Sequence, residues 1–396
     1  MLLNTEKLTP WRKISALWKY QPEDFIVKEI SRRYGLLDFS KKYSFDETSH
    51  GDHLICVFIK KNMETFQMIK SIALMLNISS QRISLAGVKD KKAWTIQLGS
   101  IYKIKKEKIN FIRDKLKNCD VIPICYADKK VYLGELDGNF FEITLRCINK
   151  RDVEYFKEIM IKYEKEYDFY FPNYYGIQRF GSEENSTAKL GYLLLKRDYE
   201  RFILEYLSIT DAKNSLKNLS SEEIEKLREK LRNKYHEKRV FDYLLYHNME
   251  DIIGAIRTIP IPLLKMFVNA YQSHIFNMVL SKIIKEKKSE WHELKNKKIP
   301  IPGSGYESFA LKGEYEGYIM EILEKEKITF EDFKFPELNF ESKGTGREIL
   351  TKPANITYLI EKDEIFKRKY KIILKFSLTK GSYASSFLEE IFDLSY

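Results

Sequence analysis

Asp52-His53-Leu54-Ile55-Cys56-Val57-Phe58-Ile59-Lys60-Lys61 is the stretch on which the fold turns. Its run of apolar and β-branched side chains predicts a strand, because branched side chains suit a pleated surface better than a helix. From Glu64 to Leu76, Phe66, Ile69, Ile72 and Leu76 then recur at three- and four-residue steps, and Asn77 stands where the pattern stops, so a helix follows. Residues 82–86 and 93–99 read as two short strands separated by the polar loop Gly87-Val88-Lys89-Asp90-Lys91-Lys92. This order predicts a mixed sheet with helices laid on it.

Further along, Lys105 to Lys117 reads as a basic helix. Val131–Leu136 and Asn139–Arg146 flank Asp137-Gly138, a strong two-residue hairpin signal. Residues 151–167 predict a charged helix with Val153, Phe156, Ile159, Met160 and Tyr163 on one face and Asp152 as cap or first-turn charge. Between residues 196 and 350 the texture changes to long, charged helical segments, notably Ser220 to Arg239, followed by a helix containing Asn269 to Ile284. Lys371 to Ser377 alternates like a strand and leads through Gly381-Ser382 into a short helix ending near Ile391. A chain of 396 residues exceeds the usual size of one core. We therefore expect residues 1–195 and 351–396 to form one domain and residues 196–350 to be a helix-rich insertion.

Lys and Arg total 68 against 57 Asp and Glu, a net charge of +11, which predicts attraction to a polyanion. Nucleic acid fits better than a membrane surface, since no polybasic amphipathic helix stands beside an apolar anchor. The start, Met1-Leu2-Leu3-Asn4-Thr5-Glu6, lacks the basic and apolar regions of a signal peptide, and no apolar run approaches the roughly 20 residues of a membrane span. A cytoplasmic protein is expected. Cys56, Cys119, Cys125 and Cys147 form no Cys-x-x-Cys pair and lie far from any histidine cluster, so no metal site is expected.

Three segments could carry chemistry. In the first, Asp90 is a single carboxylate among Lys89, Lys91 and Lys92, whose charges favour its ionised form and could hold RNA phosphate; an ordinary solvated turn has the same composition. In the second, Asn173-Tyr174-Tyr175-Gly176-Ile177-Gln178-Arg179-Phe180-Gly181, aromatic faces alternate with groups able to bond base edges or phosphate, which suits single bases but equally a packed loop. The third, Asn269 to Asn277, holds His274, which reads more readily as a packed helical histidine than as a base. No phosphate-binding Gly-x-x-x-x-Gly-Lys loop, zinc-type histidine pair or serine elbow occurs. The residues alone stop at a basic RNA-binding protein with an exposed carboxylate loop.

Taken in order, these segments resemble the tRNA pseudouridine synthase D (TruD) family. Lys19 with Pro22-Glu23-Asp24-Phe25 looks like the family's amino-terminal motif, and Ala86 to Gln97 like the motif that bears its catalytic Asp. Gly134 to Asn139 with Phe141 and Arg146, the 173–181 block, and Ser273 with Phe276-Asn277 are also family-like. So are Gly346-Arg347-Glu348 with Pro353, and the closing Phe376-Ser377-Leu378 and Gly381 to Ser385. The resemblance implies an α+β pseudouridine synthase fold, a mixed and mainly antiparallel sheet flanked by helices, with an inserted helix-rich α/β TRUD domain.

It further implies an isomerase that converts a tRNA uridine, first of all uridine 13, to pseudouridine, without cofactor, metal or obligatory protein partner. Asp90 is then the catalytic residue, as nucleophile toward the sugar or as base at the ribose 2′ carbon, and Lys19 is the cation paired with it. Tyr175, where the family often has Phe, is expected to stack on the flipped uracil and Asn173 to read its edge. Lys89, Lys91, Lys92, Gln178 and Arg179 are the expected RNA contacts. A noncatalytic RNA-binding or RNA-folding protein would need no role for Asp90, and a metal-dependent nuclease would need further carboxylates beside it.

Overall fold

The computed structural model describes residues 5–181, 186–209, 216, 219–306 and 313–395. Met1 to Asn4, the first residues of the stretch read above for a leader, lie outside them. The chain forms two compact units: Thr9–Phe171 with Lys352–Tyr396, and Met1–Leu8 with Pro172–Thr351. Residues 172–181 and 186–195, read above with the first domain, fall in the second unit.

The first unit is built on an 11-stranded sheet. Its strands are β1 (Ile14–Leu17), β2 (Phe25–Ser31), β3 (Gly35–Leu36), β4 (His53–Lys61), β5 (Ile83–Leu85) and β6 (Trp94–Tyr102). They continue with β7 (Cys119–Ala127), β8 (Leu136–Ile148), β9 (Ala354–Lys362), β10 (Tyr370–Thr379) and β11 (Phe392–Ser395). The main path runs β9-β10-β8-β2-β6-β4-β7. Only β1 with β11 and β2 with β6 pair in parallel, so the sheet is mixed and mainly antiparallel.

The opening stretch is β4, paired between β6 and β7 and one strand in from the sheet's end. Period-two alternation sends Leu54, Cys56 and Phe58 into one core with Met68, Ile72, Ala73 and Leu76 of α1 (Thr65–Leu76). Ile109 and Ile112 of α2 (Lys106–Arg113) join the same core. Ile55 and Val57 face the other way, packing with Ile96 and Leu98. Burying each such aliphatic side chain contributes about 1.5–3 kcal/mol. Helix α1 ends where Asn77 takes a left-handed conformation, φ 53°, which tolerates the short polar side chain. Helix α3 (Lys150–Tyr167) lays Val153, Phe156, Ile159, Met160 and Tyr163 against Phe25, Val27, Phe141 and Ile143. Its Asp152 lies in the first turn and pairs with Arg12.

One turn expectation fails. Asp137-Gly138 is no hairpin corner but lies inside the 13-residue strand β8. Gly138 stands there because the neighbouring backbone comes close: a Cβ would fall 2.2 Å from the Leu378 carbonyl oxygen. The carboxy-terminal strand does rejoin this sheet, as β10 beside β8.

The second unit is mainly helical: α4 (Ser186–Leu195), α5 (Tyr199–Tyr206), α6 (Ser221–Leu231), α7 (Tyr235–Tyr246), α8 (Ile252–Arg257), α9 (Ile261–Lys287) and α10 (Glu316–Glu326). The segment expected as one helix from Ser220 is two, broken at residues 232–234; its first turn is closed by a reciprocal Ser220–Glu223 capping box. Helix α9 is buried almost all round, which explains why its sequence is apolar on several faces. It starts at Ile261, so Asn269–Asn277 is mid-helix. A short antiparallel pair, Lys298–Ile301 with Thr345–Glu348, completes this unit's frame. Among the described residues no helix is long and apolar enough to cross a membrane.

Candidate active site

In the first unit, the loop between β5 and β6 is held on its inner side by charges and hydrogen bonds from three strands and a helix. Thr65, at the start of α1, clamps Lys89: its hydroxyl donates to the Lys89 carbonyl at 3.0 Å and accepts from the Lys89 amide at 3.1 Å. The Lys89 ammonium turns inward, donating to Glu29 at 2.9 Å and Asn139 at 2.9 Å. Glu29 sits on the buried face of β2, and its other carboxylate oxygen accepts from the Leu98 amide at 3.0 Å. Lys89 is therefore not the phosphate contact expected of it. With both partners buried, the Lys89–Glu29 pair fixes the loop to the sheet.

That anchoring leaves Asp90 facing outward. Its side chain keeps 25% of its accessible surface and accepts from Lys19 at 3.0 Å, whereas the Lys19 side chain keeps only 4%. Lys19 has a left-handed backbone, φ 51°, and its ammonium lies over the Trp18 and Phe25 rings at 4.4 and 4.0 Å. Burial lowers its pKa, Asp90 opposes that shift, and Lys92 adds to it. A second buried lysine, Lys60 at the end of β4, donates to the Asp90 main-chain carbonyl. Burial pushes Lys60 down to about 8, against the pull of Asp90 and Glu64. Lys91 and Lys92 are exposed, as a phosphate contact requires.

The corner carrying Lys19 is itself braced. Asp24 accepts from the Gln21 amide at 3.1 Å and takes both its oxygens to Arg146 Nε at 2.9 Å. The Pro22-Glu23-Asp24-Phe25 motif thus sets the position of Lys19 and supplies, in Phe25, part of its aromatic seat.

In the second unit, Tyr175 is gripped by Asn277 of α9, whose amide accepts from the Tyr175 amide and donates to the Tyr175 carbonyl, both at 2.9 Å. The Arg347 guanidinium lies 4.0 Å over the Tyr175 ring, and Phe276 meets that ring edge-on at 5.5 Å. Arg347 also donates to the Asn173 carbonyl at 2.9 Å and to its side-chain oxygen at 2.7 Å, while the Asn173 amide nitrogen donates to Glu348 at 3.2 Å. Asn173, expected to read uracil, is buried with both ends of its amide engaged in holding the loop. Arg179 donates to Ser273 at 3.2 Å, and Gln178 is exposed. His274 packs between Tyr271 and Phe180, and burial lowers its pKa, the behaviour of a packed helical histidine.

Sequence reading missed Glu29, Lys60 and Thr65 near Asp90, and named Asn139 and Arg347 only as members of family-like blocks, without their roles at Lys89 and Tyr175. The signal for Glu29 was available: in Phe25-Ile26-Val27-Lys28-Glu29 the period of two places it on the buried face with Phe25 and Val27, where a carboxylate needs a cation. Among the described residues no three His, Cys, Asp or Glu side chains group so as to hold a metal ion.

The comparisons with known proteins agree with this architecture. The family model of tRNA pseudouridine synthase D (TruD) matches residues 8–297 and 284–391. A relative from Methanosarcina acetivorans assigned as tRNA pseudouridine synthase D is 31% identical, over 94% of this chain and 91% of its own. One from Nanoarchaeum equitans with the same assignment is 32% identical, over 94% and 98%. A crystal structure of a protein from Methanosarcina mazei assigned as TruD superposes with a TM-score of 0.64 at 26% identity, covering 98% of this chain and 95% of that one. On a match that runs through both units and includes the Lys19 corner, the Asp90 loop and the Tyr175 loop, this chain belongs to the tRNA pseudouridine synthase D family.

Proposed function

We propose that this protein converts a uridine of tRNA, with uridine 13 the first candidate, to pseudouridine in the cytoplasm, with Asp90 as the catalytic carboxylate. The observation that carries this reading is the 3.0 Å pair between a buried ammonium, Lys19, and a carboxylate that still faces solvent, Asp90. The ammonium holds the carboxylate in position through a charge-assisted hydrogen bond. The unit of Thr9–Phe171 and Lys352–Tyr396 is then the catalytic domain, and that of Pro172–Thr351 the inserted one.

The reaction is an isomerisation. The bond from ribose C1′ to uracil N1 breaks, the base turns, and C1′ bonds to C5; the C5 proton leaves and N1 gains one, so no electrons are exchanged. Asp90 acts either by attacking the sugar or by taking the 2′ proton to pass through a glycal, and it is regenerated in both routes. A stacked uridine hides its sugar carbon, so the base is flipped out, at a cost of a few kcal/mol. Tyr175 provides the stacking face for the uracil, its ring braced by Arg347 on one side. Lys91, Lys92 and Gln178, all exposed, are proposed RNA contacts.

Asp90→Asn is the direct test. An amide can neither attack nor take the proton, so pseudouridine formation in a tRNA transcript is expected to disappear while affinity for the transcript stays within about twofold. Sustained turnover by this variant would remove Asp90 from the chemistry. Mapping pseudouridine in tRNA from cells with and without the protein identifies the target position.

A further inference from the structure

Beside the Asp90 loop the first unit carries a groove of about 520 Å³ that the chemistry above does not use. It is lined by Thr65 and Phe66 of α1, by Gly87 and Val88 of the loop, and by Lys130, Tyr132 and Leu133, among others. Its lining is unusually apolar for open surface: Phe66 is 71% exposed, Val88 61%, Tyr132 52% and Leu133 77%. A cluster of large apolar side chains facing water marks a binding surface. The only charged lining residue is Lys130, whose ammonium lies 5.3 Å over the Tyr132 ring. Lys91 and Lys92 are exposed on the same loop.

We infer that this groove receives an unpaired base of the substrate RNA next to the converted uridine. The inference rests on the proposed reaction at Asp90 and names a further subsite for it. Val88 and Asp90 are two residues apart, at most about 7 Å along the chain, so a nucleotide adjoining one held at Asp90 falls within reach of the groove. Thr65 ties the two together, since it lines the groove while its hydroxyl clamps the Lys89 main chain. Flipping a uridine strips its neighbours of a stacking partner, and an aromatic or apolar surface replaces it for any base, because every base has a π-face. The charge is complementary: one cation and no carboxylate in the lining suit a polyanion carrying flat apolar rings.

The test uses the full-length protein and a tRNA transcript. Phe66→Ala and Leu133→Ala, both at exposed positions, are expected to raise KM about tenfold, within the range for one stacked base, with kcat moving less than about twofold; Phe66→Trp restores KM. Phe111→Ala, equally exposed at 71% but on α2 outside the groove, serves as control and leaves KM unchanged. Transcripts with an abasic residue at each of the two positions on either side of the converted uridine identify the base: at one of them the difference between wild type and Phe66→Ala vanishes. KM values within about twofold of wild type for both alanine variants, or a difference that persists with every abasic transcript, would overturn the inference; the groove would then serve a protein partner or a second copy of this chain. If wild type converts no uridine, it is the reaction at Asp90 that fails. The groove is then judged by transcript affinity, which the same two variants must weaken about tenfold for it to stand.

Discussion

The Asp90 loop and the Tyr175 loop are pinned in the same way and armed in opposite ways. In each, one side chain from a neighbouring helix both donates to and accepts from the loop's main chain: Thr65 at Lys89, Asn277 at Tyr175. Around Asp90 the remaining grip comes from buried charged side chains, in the ion pairs Lys89–Glu29 and Lys19–Asp90 and in the Lys60 bond to the Asp90 carbonyl. Around Tyr175 it is a cation laid on a ring, with Arg347 also holding Asn173. The contrast teaches that most of the charge in a lysine-rich loop can be structural. Of the three lysines flanking Asp90 in sequence, Lys89 is spent on the sheet and only Lys91 and Lys92 remain outside.

The largest effect should come from breaking the ionic grip. Glu29→Gln leaves the Lys89 ammonium buried without its counter-charge, and a loss of about 3–5 kcal/mol is expected in denaturant unfolding of the first unit. Pairing it with Lys89→Met should recover a large part of that loss; a double variant no better than Glu29→Gln alone would show that Lys89 does not depend on Glu29. The aromatic side should respond in rate rather than stability. Tyr175→Ala is expected to slow single-turnover conversion about 10- to 100-fold, matching the loss of one stacked base, whereas Tyr175→Phe keeps the ring and should stay within about threefold. Equal losses in both would assign the effect to the hydroxyl.

The smallest effect should be the pH dependence of Lys60. Its ammonium bonds the Asp90 carbonyl and, with its pKa pushed down to about 8, loses its charge as pH rises through that value. A neutral amine still donates, only more weakly, so the single-turnover rate should fall by about threefold between pH 7 and 9.5. The profile of Lys60→Met should lack that step. For stability the sign is opposite. Between about 8 and the ordinary 10.5 the unfolded chain holds a proton on this lysine that the folded chain does not, so the group's contribution to stability rises with pH across that window.

Much of the scaffold was legible because local pattern and burial agree: β4, α1, α3 and the return strand β10 stand where their periodicities put them. What failed was punctuation. Asp137-Gly138 has the composition of a turn, but the neighbouring Leu378 backbone decided its role, and that neighbour is more than 200 residues away in sequence. Asp90 stood out locally, but its pairing with Lys19 could be named only by resemblance, since no local rule joins residues 71 apart. Their supports lay deeper still: Asn139 reaches Lys89 across 50 residues and Glu29 across 60, and each looks like an ordinary strand polar residue on its own. For Asn173 and Lys89 the residue types suggested ligand contacts, and tertiary packing turned both inward.

Gly138 also has a consequence for inheritance. It pairs with Ile30 on one side and Thr379 on the other, one step before Asn139 pairs with Glu29 and Leu378. Any side chain at this position would push β8 off β10, and a one-residue slip would swing Asn139 to the opposite face, away from the Lys89 ammonium. A position without a side chain therefore acts as an alignment pin for the Asp90 loop, and it should tolerate replacement no better than the loop it aligns.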